Sequence, residues 1–453
     1  LVGTRQPEIT APPLDELPSN IGEGMKRNLK KGKRTQRTVG LFAVAALGLA
    51  ACSSGNSSTT PSGSSSAGGG DIHVTVLASY TGTYAQIGEA LYDGAAAGAA
   101  IVNANGGVNG RKIILDKVDT KGDPADAVPV FQQELAANHP VAVIGPTTLE
   151  IFGVQPIIDR NQIVDFFNGG STTFDKSTDQ YIWRINPSDS QLALALALNA
   201  RNSGVQKAAI LFTSEASQQS LEPFLAKDFA ALGGTITTTV NVTPTQSSYN
   251  SEIVKLLATH PQAILGQLDP PTAATFFSQL RSQVGTSMPF YGTDVTAGSD
   301  WIKAVGAAYA HAAVTSVQGG TPSNAAGDAF TAQFKTLYNQ APLGGSNYSF
   351  DGVIDLALAL TAGNSTTTAS ITKQLPLVSN PPAAACFTYA TCVAEIKSGG
   401  TSNYEGASGP MDFDQYRNVS GPWDVVKSDV SGNLVTLRTV SATEVSAAAA
   451  KVG

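Results

Sequence analysis

The 453 residues carry 28 Lys or Arg against 35 Asp or Glu, and 42% of them are hydrophobic, enough for two or three cored domains of ~100–200 residues each. Residues 1–51 hold eight of the basic and four of the acidic side chains, so 20 and 31 remain beyond them, a formal balance of −11. A surface of that sign repels phosphate backbones and anionic headgroups, which argues against nucleic acid as a partner.

Residues 1–24 are polar, acidic and proline-containing. They stand ahead of a basic segment that normally opens a signal peptide, so translation is expected to start at Met25. Lys26, Arg27, Lys30, Lys31, Lys33, Arg34 and Arg37 form that segment, and Val39 to Leu49 an apolar run. At roughly 10–13 residues the run is too short to span a bilayer, which takes about 20. Leu49, Ala50, Ala51 and Cys52 then resemble a bacterial lipobox. Residues 25–51 are therefore expected to be a lipoprotein signal peptide, with lipidation at Cys52. Two acyl chains on one residue give stable anchoring where a single chain does not. Residues 52–70 are rich in Ser, Thr and Gly and read as a flexible tether whose reach is ~25 Å.

From Asp71 the pattern changes. Ile72, Val74, Val76 and Ala78 alternate on a strand, Gln86 to Asn105 reads as a helix stopped by Gly106 and Gly107, and Lys112 to Val118 as a second strand. A helix from Ala125 to Ala137, a strand from Val141 to Ile144, a helix to Arg160 and a strand from Ile163 to Phe167 follow. The rhythm then repeats with helices at Ser190–Arg201, Leu221–Leu232, Asn250–Thr259 and Thr272–Val284. Strands are expected at Lys207–Phe212, Ile236–Val242, Ala263–Leu268 and Pro289–Gly292. Later helices are expected near Ala326–Asn339 and Asp351–Ala362. Short apolar strands between helices imply parallel sheets covered on both faces, here two α/β lobes, each a doubly wound sheet. Ligands of such sheets bind beyond the carboxyl ends of the strands.

With Cys52 acylated, Cys386 and Cys392 remain as an even pair outside the reducing cytosol. A disulfide is expected there, the alternative being two buried thiols. His73, His139, His260 and His311 are scattered without ligand spacing, so no metal site and no cofactor is expected.

Several motifs occur in a specific order: Tyr80-Thr81-Gly82 with Gly88; Asn103 to Arg111; Asp119 with Asp123-Pro124; Ile144-Gly145-Pro146-Thr147-Thr148; Arg184 to Asp189; Phe350-Asp351-Gly352; and Tyr404 to Asp414 with Gly406, Gly409 and Phe413. Together they resemble the leucine/isoleucine/valine-binding type of solute-binding protein, the extracytoplasmic receptor of an ABC importer. The resemblance covers Asp71 to about Val440. It implies the type 1 periplasmic-binding-protein fold, with two lobes joined by hinge strands. Residues 71–186 would form lobe 1, completed by about 319–410, and 187–318 lobe 2, completed by about 411–445. It also implies a monomer that meets a small-molecule solute and a membrane ABC permease.

Candidate ligand residues follow from both readings. A glycine after a buried strand lets backbone approach a ligand, and a helix N-terminus just beyond offers N–H groups to an anion. Thr147 and Thr148 add hydroxyls. Ser171 and Thr172 stand in the turn after the next strand, which the resemblance also places at the ligand. Asp294 follows the strand end Phe290-Tyr291-Gly292, where amino-acid binders of the resembled family put the carboxylate that meets the ligand ammonium. The sequence departs from that family at Leu149, where a serine is common, and at Ile87, Ser217 and Leu268, where aromatic residues line the cleft. Tyr80, Tyr84 and Tyr291 are the candidates to replace that aromatic surface. An enzyme is not expected, since Gly-x-Ser-x-Gly, His-Glu-x-x-His and Gly-Lys-Ser/Thr motifs are absent from the sequence. A ligand sensor of the same fold is the alternative to transport.

Overall fold

The structure, a computed structural model, describes residues 70–82, 84–214 and 220–452. The expected leader, Cys52 and nearly all of the tether lie outside the described residues, as does Ser217.

The first lobe is built on β1 (Ile72–Ala78), β2 (Ile113–Asp119), β3 (Ala142–Ile144), β4 (Val164–Phe167) and β5 (Ile182–Arg184). Their order is β2-β1-β3-β4-β5, all parallel. One face is covered by α2 (Pro124–Asn138) and α3 (Ile151–Asn161), through a core that includes Phe131, Ile151, Ile158 and Phe167. The other face packs against α1 (Ala85–Ala104).

The second lobe repeats the plan. α4 (Asp189–Asn202), β6 (Lys207–Thr213), α5 (Glu222–Ala231), β7 (Thr235–Val242), α6 (Asn250–Leu257), β8 (Ala263–Gly266), α7 (Pro270–Val284) and β9 (Phe290–Gly292) come first. Three short helices, α8 (Asp294–Ala297), α9 (Ser299–Val305) and α10 (Ala307–Ala313), lead to β10 (Val314–Gly319). The order β7-β6-β8-β9-β10 matches that of the first sheet.

The chain then returns to lobe 1 with α11 (Ala325–Tyr338), α12 (Ser346–Gly363) and α13 (Thr368–Ser379). A small parallel pair, β11 (Ala385–Cys386) and β12 (Asn403–Tyr404), brackets α14 (Tyr389–Lys397). Cys386 and Cys392 are disulfide-bonded, with Cα atoms 5.4 Å apart, which closes the loop into α14. Met411, Phe413 and Val419 still bury in the lobe 1 core. β13 (Trp423–Ser428), β14 (Leu434–Val440) and α15 (Ala442–Val452) finish lobe 2. β13 pairs antiparallel with β10 and β14 antiparallel with β13, so the second sheet is mixed at that edge.

α1 and α12 touch almost backbone to backbone. A Cβ on Gly94 would stand 1.8 Å from the Ser346 carbonyl oxygen, and one on Gly98 would stand 2.9 Å from that of Phe350. The small face of α1 is what admits this approach. The expected strand Ala263–Leu268 stops at Gly266 for a related reason. Gly266 has φ +149, and a Cβ there would meet the Leu211 carbonyl at 1.9 Å, so the strand ends where only glycine fits.

Candidate functional site

In each lobe the strand order reverses direction beside the first strand, β1/β3 in one and β6/β8 in the other, and such a switch point opens a crevice at the carboxyl strand ends. The loops after β1, β3 and β4 supply the lobe 1 side. Those after β8 and β9 supply the lobe 2 side.

On lobe 1, Gly145 has φ +80 and lies against the Leu77 carbonyl, where a Cβ would clash at 2.4 Å. The turn it makes delivers Thr147 and Thr148, with different outcomes. Thr147 is buried. Its N–H and hydroxyl donate to Glu150 Oε2 at 3.0 and 2.6 Å, and Thr120 donates to Glu150 Oε1 at 2.7 Å. The donors that the sequence offered to an incoming anion are therefore taken by the protein's own buried carboxylate. Glu150 carried no sequence signal that would have revealed this. Thr148 is half-buried, and its hydroxyl stands against Gly169 of the next loop, 2.6 Å from where a Cβ would be.

Tyr80 turns away from the loop tip. Its hydroxyl donates to the Val76 carbonyl at 3.0 Å, and its ring lies edge-on to Tyr92 and under the Lys117 ammonium, 4.3 Å from the centroid. Tyr84, 40% exposed, stands in front of the first turn of α1 with Ile87, 49% exposed. Leu268 is fully buried in the lobe 2 core, and its carbonyl accepts the Trp301 indole N–H at 3.0 Å, so it lines no cleft. Tyr291 packs against the other core of lobe 2.

The loop after β4 meets the start of α4. The Asp189 N–H donates to the Gly170 carbonyl at 2.8 Å, and Asp189 Oδ1 lies where a Gly170 Cβ would be. Ser171 and Thr172 open the 3₁₀ turn Thr172–Phe174, and among the described residues neither hydroxyl has a hydrogen-bond partner. Behind them is a buried node. Arg184, 1% exposed, donates to Asp175 Oδ1 at 2.6 Å, to the Ser171 carbonyl at 3.0 Å and to Asn418 Oδ1 at 2.9 Å. Ser188 and Ser190 also donate to Asp175. This node ties the first interlobe crossing to the segment that leads into the last.

From lobe 2, Asp294 begins α8 at the end of β9. Its side chain is exposed, and partial desolvation by the surrounding protein raises its carboxyl above the usual carboxylate range. Burial, and then the nearby Asp294 carboxylate, push Asp189 up to about 7, with the Arg184 guanidinium opposing. The Tyr348 hydroxyl is raised by burial and by the same Asp294 charge, and it stands against Gly319 at the second crossing. Thr148 meets Gly169, Gly170 meets Asp189, and the Asp294 charge of lobe 2 is felt at Asp189. Asp189, which the sequence marked only as part of the Arg184 to Asp189 motif, and Tyr348 were not read as site residues, because their place depends on two chain crossings. Among the described residues no three His, Cys, Asp or Glu side chains are placed to hold a metal ion.

The comparisons agree with this architecture. A curated amino acid binding protein of Pseudomonas aeruginosa is 37% identical over 75 residues, which is 17% of this chain and 20% of that protein. The match therefore spans about a fifth of the curated relative. Among solved structures, leucine-binding protein LivK of Thermotoga maritima superposes with a TM-score of 0.68 at 17% identity, over 82% of this chain and 99% of that one. LivJ of Streptococcus pneumoniae, in complex with isoleucine, gives 0.67 at 18% identity, over 82% and 99%. A solute-binding protein of R. palustris in complex with benzoate gives 0.65 at 17% identity, over 82% and 97%. These likenesses show the fold. The periplasmic binding protein family matches residues 71–429, and by that match the chain belongs to the periplasmic binding protein family.

Proposed function

We propose that the protein is the extracytoplasmic receptor of an ABC importer, and that it closes on a small solute carrying an ammonium group, an amino acid being the class that fits best. The observation that carries this reading is the Asp294 carboxylate at the lobe 2 strand end, whose charge reaches Asp189 at the start of α4. A desolvated ammonium requires such a counter-charge, whereas a lone carboxylate ligand would be repelled by the pair. Across from them, Thr148, Ser171 and Thr172 offer hydroxyls to the ligand's other polar end, and Tyr84 and Ile87 an apolar rim. Thr147 and Tyr80 take no part. The amino acid binding protein of P. aeruginosa and the isoleucine-bound LivJ support this ligand class. The ligand stabilises the closed state only through contacts made to both lobes at once.

The test is a thermal-shift screen of the purified protein against amino acids, amides, sugars and aromatic acids. A ligand at about 100 times its Kd stabilises a fold by ~2.7 kcal/mol. Shifts confined to amine-bearing solutes are expected. Shifts with benzoate and none with any amine would refute the reading.

The same reading holds the protein at the outer face of the membrane through lipid on Cys52 and the tether of residues 52–70. Metabolic labelling with an alkyne fatty acid should mark the protein and should fail in Cys52→Ser. Label retained in that variant would place the anchor elsewhere.

A further inference from the structure

Away from the interlobe cleft, a groove of about 350 Å³ opens on lobe 1 between α13 and the segment 413–417. Trp183 of β5 and Phe413 line its inner side, packed edge to face with ring centroids 4.9 Å apart. Pro376 adds apolar surface from α13.

Two cations stand in its walls. Lys373 is exposed on α13, and the Arg417 guanidinium lies 5.7 Å from the Trp183 ring centroid. Among the described residues neither is in an ion pair. Asp414, which also lines the groove, turns its Oδ1 to the N–H groups of Tyr416 and Asn418 at 2.7 and 2.9 Å.

Arg417 is held in place by a costly backbone. Its φ is +65, a left-handed conformation for a residue with a long side chain. Two hydrogen bonds fix it there: its N–H donates to the Asp414 carbonyl and its carbonyl accepts the Arg184 N–H, each at 2.9 Å. In a chain with a surplus of acids, two cations outside any ion pair outnumber the single Asp414 carboxylate in this groove, a local inversion of charge over an aromatic floor.

We propose that this groove is a second binding site, for a small organic anion with an apolar body. Its carboxylate would sit between Lys373 and Arg417, and its body along Pro376 and the edges of Trp183 and Phe413. Guanidinium and ammonium groups over such a floor suit a carboxylate joined to an apolar group better than a bare inorganic ion.

The test uses the full chain labelled with 5-fluorotryptophan. Its three tryptophans give separate ¹⁹F signals, and Trp183→Phe assigns the one in the groove. Trp301 and Trp423, buried in lobe 2, serve as internal controls. Millimolar phenylacetate should move the Trp183 signal saturably and leave the other two in place. Lys373→Gln with Arg417→Gln should weaken the response roughly tenfold, while Asp294→Asn leaves it unchanged. If the double variant misfolds, Lys373→Gln alone, at an exposed helix position, should still weaken it. A silent Trp183, an unweakened response in the folded variants, or an equal response to sulfate would overturn the proposal.

Discussion

Asp294→Asn is expected to weaken binding of an ammonium-bearing ligand by about 2–5 kcal/mol, the range for removing one partner of a desolvated charge pair. The substitution keeps the shape and the Oδ1 acceptor for the Val295 N–H, which lies at 2.9 Å in the native side chain. The fold should therefore survive while the charge is lost. Calorimetric titration of whichever amine stabilises the native protein measures the effect directly. A pH series sharpens it. Asp189, pushed up to about 7 by burial and by Asp294, is largely protonated below that value and ionised above it. A cation favours the ionised form, so affinity should rise as pH passes through about 7, with protons released on binding. In Asp294→Asn one cause of that upward shift is gone, so the rise should move to lower pH. Affinity unchanged by the substitution and flat with pH would remove both acids from the site.

Arg184→Met should be the most damaging single change to the fold. It leaves Asp175, the Ser171 carbonyl and Asn418 without their common donor. Breaking a buried ion pair by removing one partner costs about 3–5 kcal/mol. The lower end applies here, because the Asp175 side chain is 23% exposed and can regain water. Urea unfolding measures the loss. Adding Asp175→Asn to Arg184→Met should cost little more, since the two act as a unit. A loss under about 1 kcal/mol, the level of a surface pair, would show that the node is not a structural one.

The βα rhythm was legible because most of its strands are apolar runs bounded by helices with clear starts, as at Ile72–Ala78 and Lys207–Thr213. The three-residue β5 was not, since Ile182–Arg184 ends in a charged side chain whose burial depends on Asp175 and Asn418. β14 was equally hidden. Its Leu434, Val435 and Leu437 are exposed at a sheet edge, so the alternation that marks a half-buried strand is missing. α13 has Pro376 in its interior, a residue that ordinarily argues against helix. The position of Asp294 just beyond a strand end was legible from the apolar run that precedes it. The reversal of Tyr80 was not, because Lys117 and Tyr92 decide it through a strand pairing and a helix packing that no local pattern encodes. The pairing of Thr147 with Glu150 was hidden for the same reason, Glu150 being one acid among many in the sequence.

The backbone-close seam between α1 and α12 also governs the order of folding. Gly94 and Gly98 need a partner at Ser346 and Phe350, a whole lobe later in the chain. Until that part is available, the small apolar face of α1 has nothing to close against, and lobe 1 remains an open half-core. Lobe 2 in turn waits for Trp423 and Val425. Neither lobe is a contiguous stretch, so neither can mature as an independent unit while the chain emerges. Contacts this distant in sequence make folding slow and dependent on nearly the whole polypeptide. A chain truncated anywhere before residue 346 should therefore be a substrate for proteolysis rather than a half-sized binding module.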